Sequence, residues 1–209
     1  MTERPPQALL DHLEADPKIW EPADINFILT GLVVPRPIGW ISTLSKDGVG
    51  NLSPFSFFTV AANDPPHVLF SISPTTKDTL ANARETGEFV VNIASRPILD
   101  QLVASSAAVK PETDEFDLTG LERTPSRMVK PFRVAAAKAH FECVTRQLVP
   151  VGKSMLVIGE IVHLHVAPDV WRDGRVRPEL LEPVGRLGGS LYTTLGELMS
   201  IPMPSVNER

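Results

Sequence analysis

Cysteine is nearly absent from this sequence, since Cys143 is the only one among 209 residues. A single cysteine excludes an intrachain disulfide and a metal cluster built on cysteine ligands. We expect Cys143 to be a buried structural thiol rather than a reactive nucleophile.

Long apolar runs are absent as well. No segment approaches the length of a membrane span, and charged residues interrupt the first twenty positions, where a signal peptide would need an apolar core. We therefore expect a soluble protein of the cytoplasm.

Positive charge is not in excess. Twenty Lys and Arg residues oppose 25 Asp and Glu residues, which gives a formal net charge of −5 and an isoelectric point near 5.5. Binding to the phosphate backbone of a nucleic acid requires the opposite balance, so nucleic acid is not an expected partner.

Two common nucleotide-binding motifs are also missing. Gly152-Lys153-Ser154 resembles the end of a phosphate-binding P-loop, but Gln147 stands where the leading glycine belongs. The glycines at positions 185, 188 and 189 do not fit the dinucleotide fingerprint. A nicotinamide cofactor would therefore have to bind without a Rossmann unit.

A histidine pair raises the question of a metal site. His163 and His165 lie two residues apart on a predicted strand and so share one face. No third ligand is evident nearby, so we expect an ordinary strand face rather than a metal centre.

The sequence is rich in residues that end regular structure, with 20 prolines and 13 glycines between short apolar segments. This pattern favours strands and turns over a helical bundle, and a hydrophobic content of 43% suits one globular domain over residues 1–209. Strands are predicted at residues 38–44, 49–53, 55–61, 67–73, 89–93, 135–148 and 155–166. We predict a mainly β fold, a mostly antiparallel barrel rather than a doubly wound sheet.

A few short helices and one irregular region complete the prediction. Helices are expected at residues 8–15, from 75 or 76 to 85, and at 98–107, with Gly87 as a left-handed stop. Residues 45–48 end in Asp47-Gly48, a hairpin turn signal between the first two strands. The polar stretch 111–131 has no clear period and is interpreted as an excursion.

The first chemically informative stretch is Asn51-Leu52-Ser53-Pro54-Phe55-Ser56. It places one amide and two hydroxyls around a proline that is expected to break the sheet ladder, and the freed polar groups could bind a heteroaromatic ring edge or a ribityl chain. The alternative is an Asn/Ser turn that is satisfied by its own backbone.

Lys77 is the second informative feature, because it falls at the start of a predicted helix, where the macrodipole disfavours a cation by roughly 0.3–1 kcal/mol. An anion would remove this conflict. The hydroxyls of Thr75, Thr76 and Thr79 and the free amides of the first turn would complete a phosphate pocket. The alternative is a solvated lysine that is partly offset by Asp78.

The order of these motifs resembles the flavin reductase-like, FMN-binding split-barrel family. The matching segments share their order from about residue 33 to residue 192, although each alone is weak. They are Pro35-Arg36-Pro37-Ile38-Gly39-Trp40-Ile41-Ser42-Thr43, the 51–56 stretch with Phe57-Phe58, Pro65-Pro66, Lys77-Asp78-Thr79, Gly87-Glu88-Phe89-Val90-Val91-Asn92, Asp114-Glu115-Phe116, Gly120-Leu121-Glu122, Glu142-Cys143, Gly159-Glu160 and Arg186-Leu187-Gly188-Gly189.

This resemblance implies a six-stranded antiparallel split barrel with a few peripheral helices, a homodimer, and flavin mononucleotide (FMN) in a groove near the subunit interface. The extension would cover residues 1–25 and the tail residues 193–209. By resemblance, the isoalloxazine and ribityl parts would meet residues 40–43 and 51–56, and the phosphate would lie towards Ser71 and residues 77–79. The residues carried over are Trp40, Ile41, Ser42, Thr43, Asn51, Ser53, Pro54, Phe55, Ser56, Ser71, Lys77, Asp78 and Thr79.

Two arginines, Arg36 and Arg186, are expected at the pyrimidine end of the flavin, where positive charge stabilises the reduced form. The alternative for each is a solvated surface arginine. Trp40 either stacks on the ring or belongs to the core.

The function that this implies is reduction of flavin by NADH or NADPH, in some members for a partner monooxygenase. The alternative is an electron carrier that holds FMN, exchanges electrons with a protein partner and does not turn over nicotinamide. A third possibility, a barrel that has lost its cofactor, is disfavoured by the retained Asn51, Ser53, Ser56, Lys77 and Thr79. No catalytic side chain is predicted, because hydride transfer is the chemistry of the cofactor itself.

Overall fold

A curved antiparallel sheet of seven strands forms most of the molecule in the computed structural model, which describes residues 14–75 and 77–202. The strands are β1 (Gly39–Leu44), β2 (Gly50–Phe55), β3 (Phe58–Asn63), β4 (Pro66–Ile72), β5 (Glu88–Ile93), β6 (Ala139–Val151) and β7 (Ser154–Val166). Their order across the sheet is β2-β1-β5-β6-β7-β4-β3. Every pair of neighbours is antiparallel.

The sheet closes on itself because of the way β2 and β3 are joined. These two strands lie at opposite edges of the sheet, yet only Ser56 and Phe57 separate them in the chain. Two residues span only about 7 Å, so the two edges must lie side by side and the sheet must curl into a barrel. A hydrogen bond of 2.8 Å from Ser71 N to Phe57 O attaches this bend to β4.

Among the described residues, five short α-helices, one three-stranded sheet and two two-stranded ribbons surround the barrel. The helices are α1 (Pro22–Leu32), α2 (Asp78–Glu85), α3 (Leu99–Ala104), α4 (Glu115–Thr119) and α5 (Pro178–Leu181), and a 3₁₀ turn (Arg96–Ile98) precedes α3. The short strands are Arg36–Pro37, Arg123–Thr124, Arg133–Val134, Trp171–Arg172, Arg175–Val176, Gly185–Arg186 and Tyr192–Thr193.

Two hydrophobic clusters lie on the two faces of the sheet. The first fills the barrel with Ile41, Phe70 and Phe89 at its centre, and α2 contributes Leu80 and Ala83 to it. The second covers the outer face, where Trp40 and Leu52 pack against side chains of α3 and α4. Neighbouring residues Trp40 and Ile41 therefore belong to different cores, as the alternation of a strand requires.

Inside the barrel, Gly159 is needed because no side chain fits at its position. A Cβ there would lie 2.3 Å from Cζ of Phe89. At the β1–β2 turn, Gly48 has a φ of +85°, which favours glycine, and the turn is closed by a 2.9 Å hydrogen bond from Ser45 N to Val49 O.

The mainly β, antiparallel prediction is confirmed, and so are the first hairpin, the pairing of the two long late strands and the left-handed Gly87, whose φ is +71°. The main sheet has seven strands rather than the six that the resemblance implies, and a bend at residues 56–57 separates β2 from β3. The predicted helix over residues 8–15 falls almost wholly outside the described residues.

The expected break of the sheet ladder at Pro54 is wrong, and so is the alternative of an Asn/Ser turn at residues 51–56. Residues 50–55 form β2, and each of them pairs with a residue of β1, including Pro54 with Trp40. A proline is tolerated there because β2 is an edge strand and does not need every N–H for a ladder. The polar residues of this stretch therefore lie on a regular strand.

Two helix boundaries also differ from prediction. The helix after β4 begins at Asp78 with Lys77 as its N-cap, so Thr75 is not the cap, and Thr76 lies outside the described residues. The helix expected over 98–107 is shorter, with a 3₁₀ turn leading into Leu99–Ala104.

Within the part of the chain that the structure describes, no helix has both the length and the apolar composition to cross a membrane. Cys143 is fully buried in the barrel core, and burial raises the pKa of its thiol well above the usual range. The expectation of a buried, unreactive thiol agrees with this placement.

Candidate functional site

A cavity of about 530 Å³ opens where the bend at residues 56–57 meets α1, α2 and the chain near residue 189. We call it the cationic cavity, because Arg36, Lys77 and Arg186 line it and no described acidic residue does. Its other lining residues are Asn26, Thr30, Ile38, Pro54, Phe55, Ser56, Phe57, Ser71, Ser73, Leu102, Ser106, Ser154, Gly189 and Tyr192. Three cations without a carboxylate, in a protein with a net charge of −5, are suited to an anionic ligand.

Arg36 is the most firmly held of the three cations. Its guanidinium donates to the carbonyl oxygens of Thr30 (2.5 Å), Val33 (2.8 Å) and Leu187 (2.8 Å), and its Nε donates to Ser56 Oγ (3.3 Å). These bonds attach the end of α1 and the chain near residue 187 to the cavity wall. Only 6% of Arg36 is exposed.

Arg186 lies directly opposite Arg36, as its register partner in the ribbon formed by Arg36–Pro37 and Gly185–Arg186. Like charges at such positions repel each other. Burial, and then the nearby charge of Arg186, lower the pKa of the Arg36 guanidinium. Neither arginine forms a salt bridge with a described carboxylate.

A second set of contacts orients Arg186 within the cavity. Its guanidinium lies over the ring of Tyr192, 4.4 Å from the centroid, and donates to the Tyr192 hydroxyl and to Gly189 O. Arg36 and Arg186 therefore place two positive charges without a described carboxylate partner on one side of the cavity, which we call the arginine wall.

Lys77 forms the other cationic wall, at the N-terminus of α2. Its side chain does not cap the helix, and its ammonium lies 5.8 Å from the centre of the Phe55 ring. Among the described residues it makes no ion pair. It is the cation with the fewest contacts in the cavity.

The remaining lining suits a ligand with a flat apolar part and a polar chain. Phe55, Phe57, Ile38 and Leu102 offer apolar surface, while five serines supply hydroxyls that both donate and accept. The donor set therefore fits FMN, which combines an aromatic ring system, a polyhydroxyl chain and a dianionic phosphate.

The structure brings seven of the predicted residues together in the cationic cavity. They are Arg36, Pro54, Phe55, Ser56, Ser71, Lys77 and Arg186. These residues share one surface although they lie far apart in the chain: 150 positions separate Arg36 from Arg186. Their contact with a flavin stays a prediction.

The other eight predicted residues do not line this cavity. They are Trp40, Ile41, Ser42, Thr43, Asn51, Ser53, Asp78 and Thr79. The Trp40 side chain is fully buried and donates to Ser105 Oγ (2.8 Å), so the core alternative describes its position. Ile41 is also core, and Ser42 donates to Phe132 O (2.6 Å).

Asn51, Thr43 and Thr79 are buried and bonded to one another instead of facing the cavity. Thr79 Oγ1 donates to Asn51 Oδ1 over 2.7 Å, and Thr43 Oγ1 lies 3.2 Å from the same oxygen. Ser53 is buried on β2. Asp78 and Asn51 line a separate cavity.

Sequence reasoning missed the part of the site that α1 supplies. Asn26 and Thr30 line the cavity from this helix, whose start at Pro22 lay inside the predicted extension. Proline at the first helical position and Asp24 in the first turn are the signals that predict such a helix. Tyr192, Ser73, Ser106 and Ser154 were missed as well.

The histidine pair has a structural partner. His165 Nε2 lies 2.5 Å from Oε1 of the buried Glu142, which also accepts hydrogen bonds from the backbone N–H groups of residues 127–129. Among the described residues, no three His, Cys, Asp or Glu side chains are placed to hold a metal ion.

Comparisons with known proteins identify the family of the chain. A family model described as "Flavin reductase like domain" matches residues 31–179. An uncharacterized protein of Aquifex aeolicus is 41% identical over 170 residues, which cover 79% of this chain and 87% of that protein.

Two solved structures are similar over nearly their whole length. Nitrilotriacetate monooxygenase component B from Bacillus cereus has a TM-score of 0.88 and 32% identity, covering 92% of this chain and 100% of that one. The 2-nitrobenzoate 2-nitroreductase NbaA of Pseudomonas fluorescens has a TM-score of 0.86 and 27% identity, covering 94% and 99%.

Proposed function

Because the chain belongs to the flavin reductase-like domain family, we propose that it binds FMN in the cationic cavity and reduces flavin with electrons from NADH or NADPH. The observation that carries this proposal is the lining of that cavity, where three cations and five serine hydroxyls surround apolar surface without any described carboxylate. FMN, when bound, supplies the hydride- and electron-transfer chemistry.

Lys77 is the residue that we assign to the FMN phosphate. It stands at the N-terminus of α2, where the first-turn amides and the helix dipole favour an anion. It has no ion-pair partner among the described residues, so a phosphate would be its first one. A charge-assisted contact of this kind is about twice as strong as a neutral hydrogen bond.

The arginine wall is assigned to the electron-accepting end of the ligand. Arg36 is fixed by three carbonyl oxygens and supplies positive charge without moving, while Arg186 is partly exposed and can contact the ligand directly. Positive charge near the ring system favours uptake of negative charge on reduction. Phe55 and Phe57 supply apolar surface for the ring.

The physiological acceptor that we propose is a monooxygenase that uses reduced flavin. Support comes from the similarity to a nitrilotriacetate monooxygenase component, which has 32% identity over 92% of this chain. The alternative is a carrier that keeps FMN bound and exchanges electrons with a protein, without turnover of nicotinamide. Reduction of the bound flavin by NADH or NADPH separates the two functions.

Binding itself is tested by titrating the purified protein with FMN and, separately, with riboflavin, which lacks the phosphate. We expect a yellow complex with FMN and weaker binding of riboflavin. Calorimetry or quenching of flavin fluorescence measures the two affinities. Equal affinities would contradict the phosphate site at Lys77, and no binding of either ligand would contradict the proposed function.

A further inference from the structure

A buried carboxylate outside the cationic cavity is linked by hydrogen bonds to the helix that begins after Lys77. Glu115 lies on α4 in the excursion after α3, and only 4% of it is exposed. It forms no ion pair with a described cation. A buried charge without a counter-charge is costly, so its hydrogen bonds must matter to the molecule.

Glu115 accepts hydrogen bonds from two groups of β2. Asn51 Nδ2 lies 3.1 Å from Oε1 and 3.2 Å from Oε2, and Leu52 N lies 3.0 Å from Oε2. An ionised carboxylate can only accept. It therefore fixes the orientation of the Asn51 amide, with Nδ2 towards Glu115 and Oδ1 towards α2.

The oriented Asn51 amide in turn holds α2. Its Oδ1 accepts from Thr79 Oγ1 (2.7 Å) in the first turn of the helix and from Thr43 Oγ1 (3.2 Å) on β1. Asn82 Nδ2, one turn further along α2, donates to Thr43 Oγ1 over 3.0 Å. Hydrogen bonds thus attach two successive turns of α2 to the β1–β2 hairpin. Glu115 sets the donor and acceptor orientation of this network, because it fixes the Asn51 amide.

We propose that Glu115 is a positioning residue for the phosphate site: through Asn51 and Thr79 it holds the first turn of α2, and with it Lys77, at the place where the FMN phosphate binds. This inference rests on the proposed FMN-binding function. Under this inference, Thr43 on β1 and Asn51 on β2 affect cofactor affinity although they do not contact the cofactor.

Burial of the Glu115 carboxyl group carries a cost in folding free energy, so this side chain is not expected to be required for the fold itself. Burial, opposed by the bonds from Leu52 and Asn51, raises the pKa of Glu115. A raised carboxyl pKa means that its contribution to stability is full below the unfolded pKa and is lost as pH rises through the folded value. Glu115→Gln replaces the carboxyl group by a neutral amide of the same shape, which carries no such burial cost, so the variant should keep its fold.

The experiment compares FMN and riboflavin affinities of Glu115→Gln, Thr79→Val and the double variant at pH 7.5. The matched control is Glu142→Gln, which changes another buried carboxylate, one that holds backbone N–H groups of residues 127–129 and forms no hydrogen bond with a described residue of α2. Circular dichroism confirms that each variant is folded, and Thr79→Val gives the same test if Glu115→Gln does not fold.

We expect FMN affinity of both single variants to fall by about tenfold, with riboflavin affinity nearly unchanged and no further loss in the double variant, because the residues act through one chain of bonds. Glu142→Gln should keep the wild-type ratio of the two affinities. The inference is overturned if Glu115→Gln keeps that ratio, or if the losses in the double variant add. If the wild-type protein binds both ligands equally, the assignment of Lys77 to the phosphate fails and this inference falls with it, whereas binding of neither ligand contradicts the proposed function itself.

Discussion

The three cations of the cavity differ in how many contacts they already make. Arg36 donates four hydrogen bonds and Arg186 donates two, whereas the Lys77 ammonium has only the Phe55 ring as a described partner. A group with few internal contacts can pair with a ligand without breaking any of them. Lys77 is therefore the residue at which a charge change should act most selectively on the ligand.

We predict that Lys77→Glu lowers FMN affinity by at least tenfold, or about 1.4 kcal/mol, because a repulsion replaces a charge-assisted contact. The fold should persist, since an acidic residue at a helix start is itself slightly favourable. Riboflavin affinity, measured by the same fluorescence titration, should change little.

Lys110→Glu makes the same charge change at an exposed residue outside the cavity and serves as the control. Its FMN affinity should stay near the wild-type value. Unchanged FMN affinity in Lys77→Glu, or an equal loss for riboflavin, would show that the phosphate is held elsewhere.

For Arg186→Gln we predict a more negative midpoint potential of the bound flavin, by about 30 mV for a tenfold change in the two-electron equilibrium, because one positive charge near the ring is removed. Spectroelectrochemical titration measures this. Arg146→Gln, an exposed arginine paired with Glu160, is the control, and equal potentials in the two variants would count against the arginine wall.

Single residues also show where sequence reasoning about the site reached its limit. That Lys77 and Arg186 belong to one site could be predicted, because both fall in the ordered motifs. The structure places both in the lining of the cationic cavity. Asn51 and Thr79 were assigned to the ligand because their polar groups appeared free along the chain. Their partner Glu115 lies 64 residues from Asn51, and such long-range pairing leaves no local signal.

Most secondary-structure elements with local signals could be predicted, and α1, which carries Pro22 and Asp24 at its start, is the exception. The β1–β2 hairpin follows from Asp47-Gly48, and β6 and β7 from their long apolar stretches. Helix α4 was missed inside the 111–131 excursion, since five residues are too few to show a helical period.

The β6–β7 pair contains a histidine that should make stability depend on pH. His140 is buried, its Nε2 lies 2.9 Å from Val134 O, and its Nδ1 has no partner among the described residues. Burial, with the positive charge of Arg133, lowers the pKa of His140 to about 4.

We predict that this histidine destabilises the fold as pH falls from about 6.5, the ordinary histidine pKa, to about 4, because the unfolded chain binds a proton that the folded protein does not. The loss is at most about 3.5 kcal/mol, from about 1.4 kcal/mol per pKa unit. Urea unfolding at several pH values should show a shallower decline for His140→Gln.

His67→Gln is the matched control, since His67 lies on β4 near the surface with a 2.8 Å contact to Pro65 O. Its stability should follow the wild-type pH dependence. If the two histidine variants lose stability in parallel, His140 does not contribute the predicted term.

The whole molecule leaves apolar surface uncovered on one edge of the sheet and along the chain after Thr193. Val60 on the edge strand β3 is 56% exposed and Ile201 is 83% exposed, and five of the six residues of β3 are exposed. Exposed edges and apolar patches of this kind are commonly covered by a second copy.

We therefore predict a homodimer, and Val60→Asp should shift it towards the monomer because it places a charge on the proposed contact surface. Light scattering across a range of protein concentrations measures both states. A wild-type monomer that still binds FMN would contradict the prediction.

Anaerobic reduction tests most directly the proposal that this chain passes electrons from a nicotinamide to flavin. The protein is loaded with FMN, oxygen is removed, and NADH or NADPH is added separately while the visible flavin band is recorded. We predict that at least one of the two donors bleaches the band. Bleaching by dithionite but by neither nicotinamide would contradict the claim and identify an electron carrier instead.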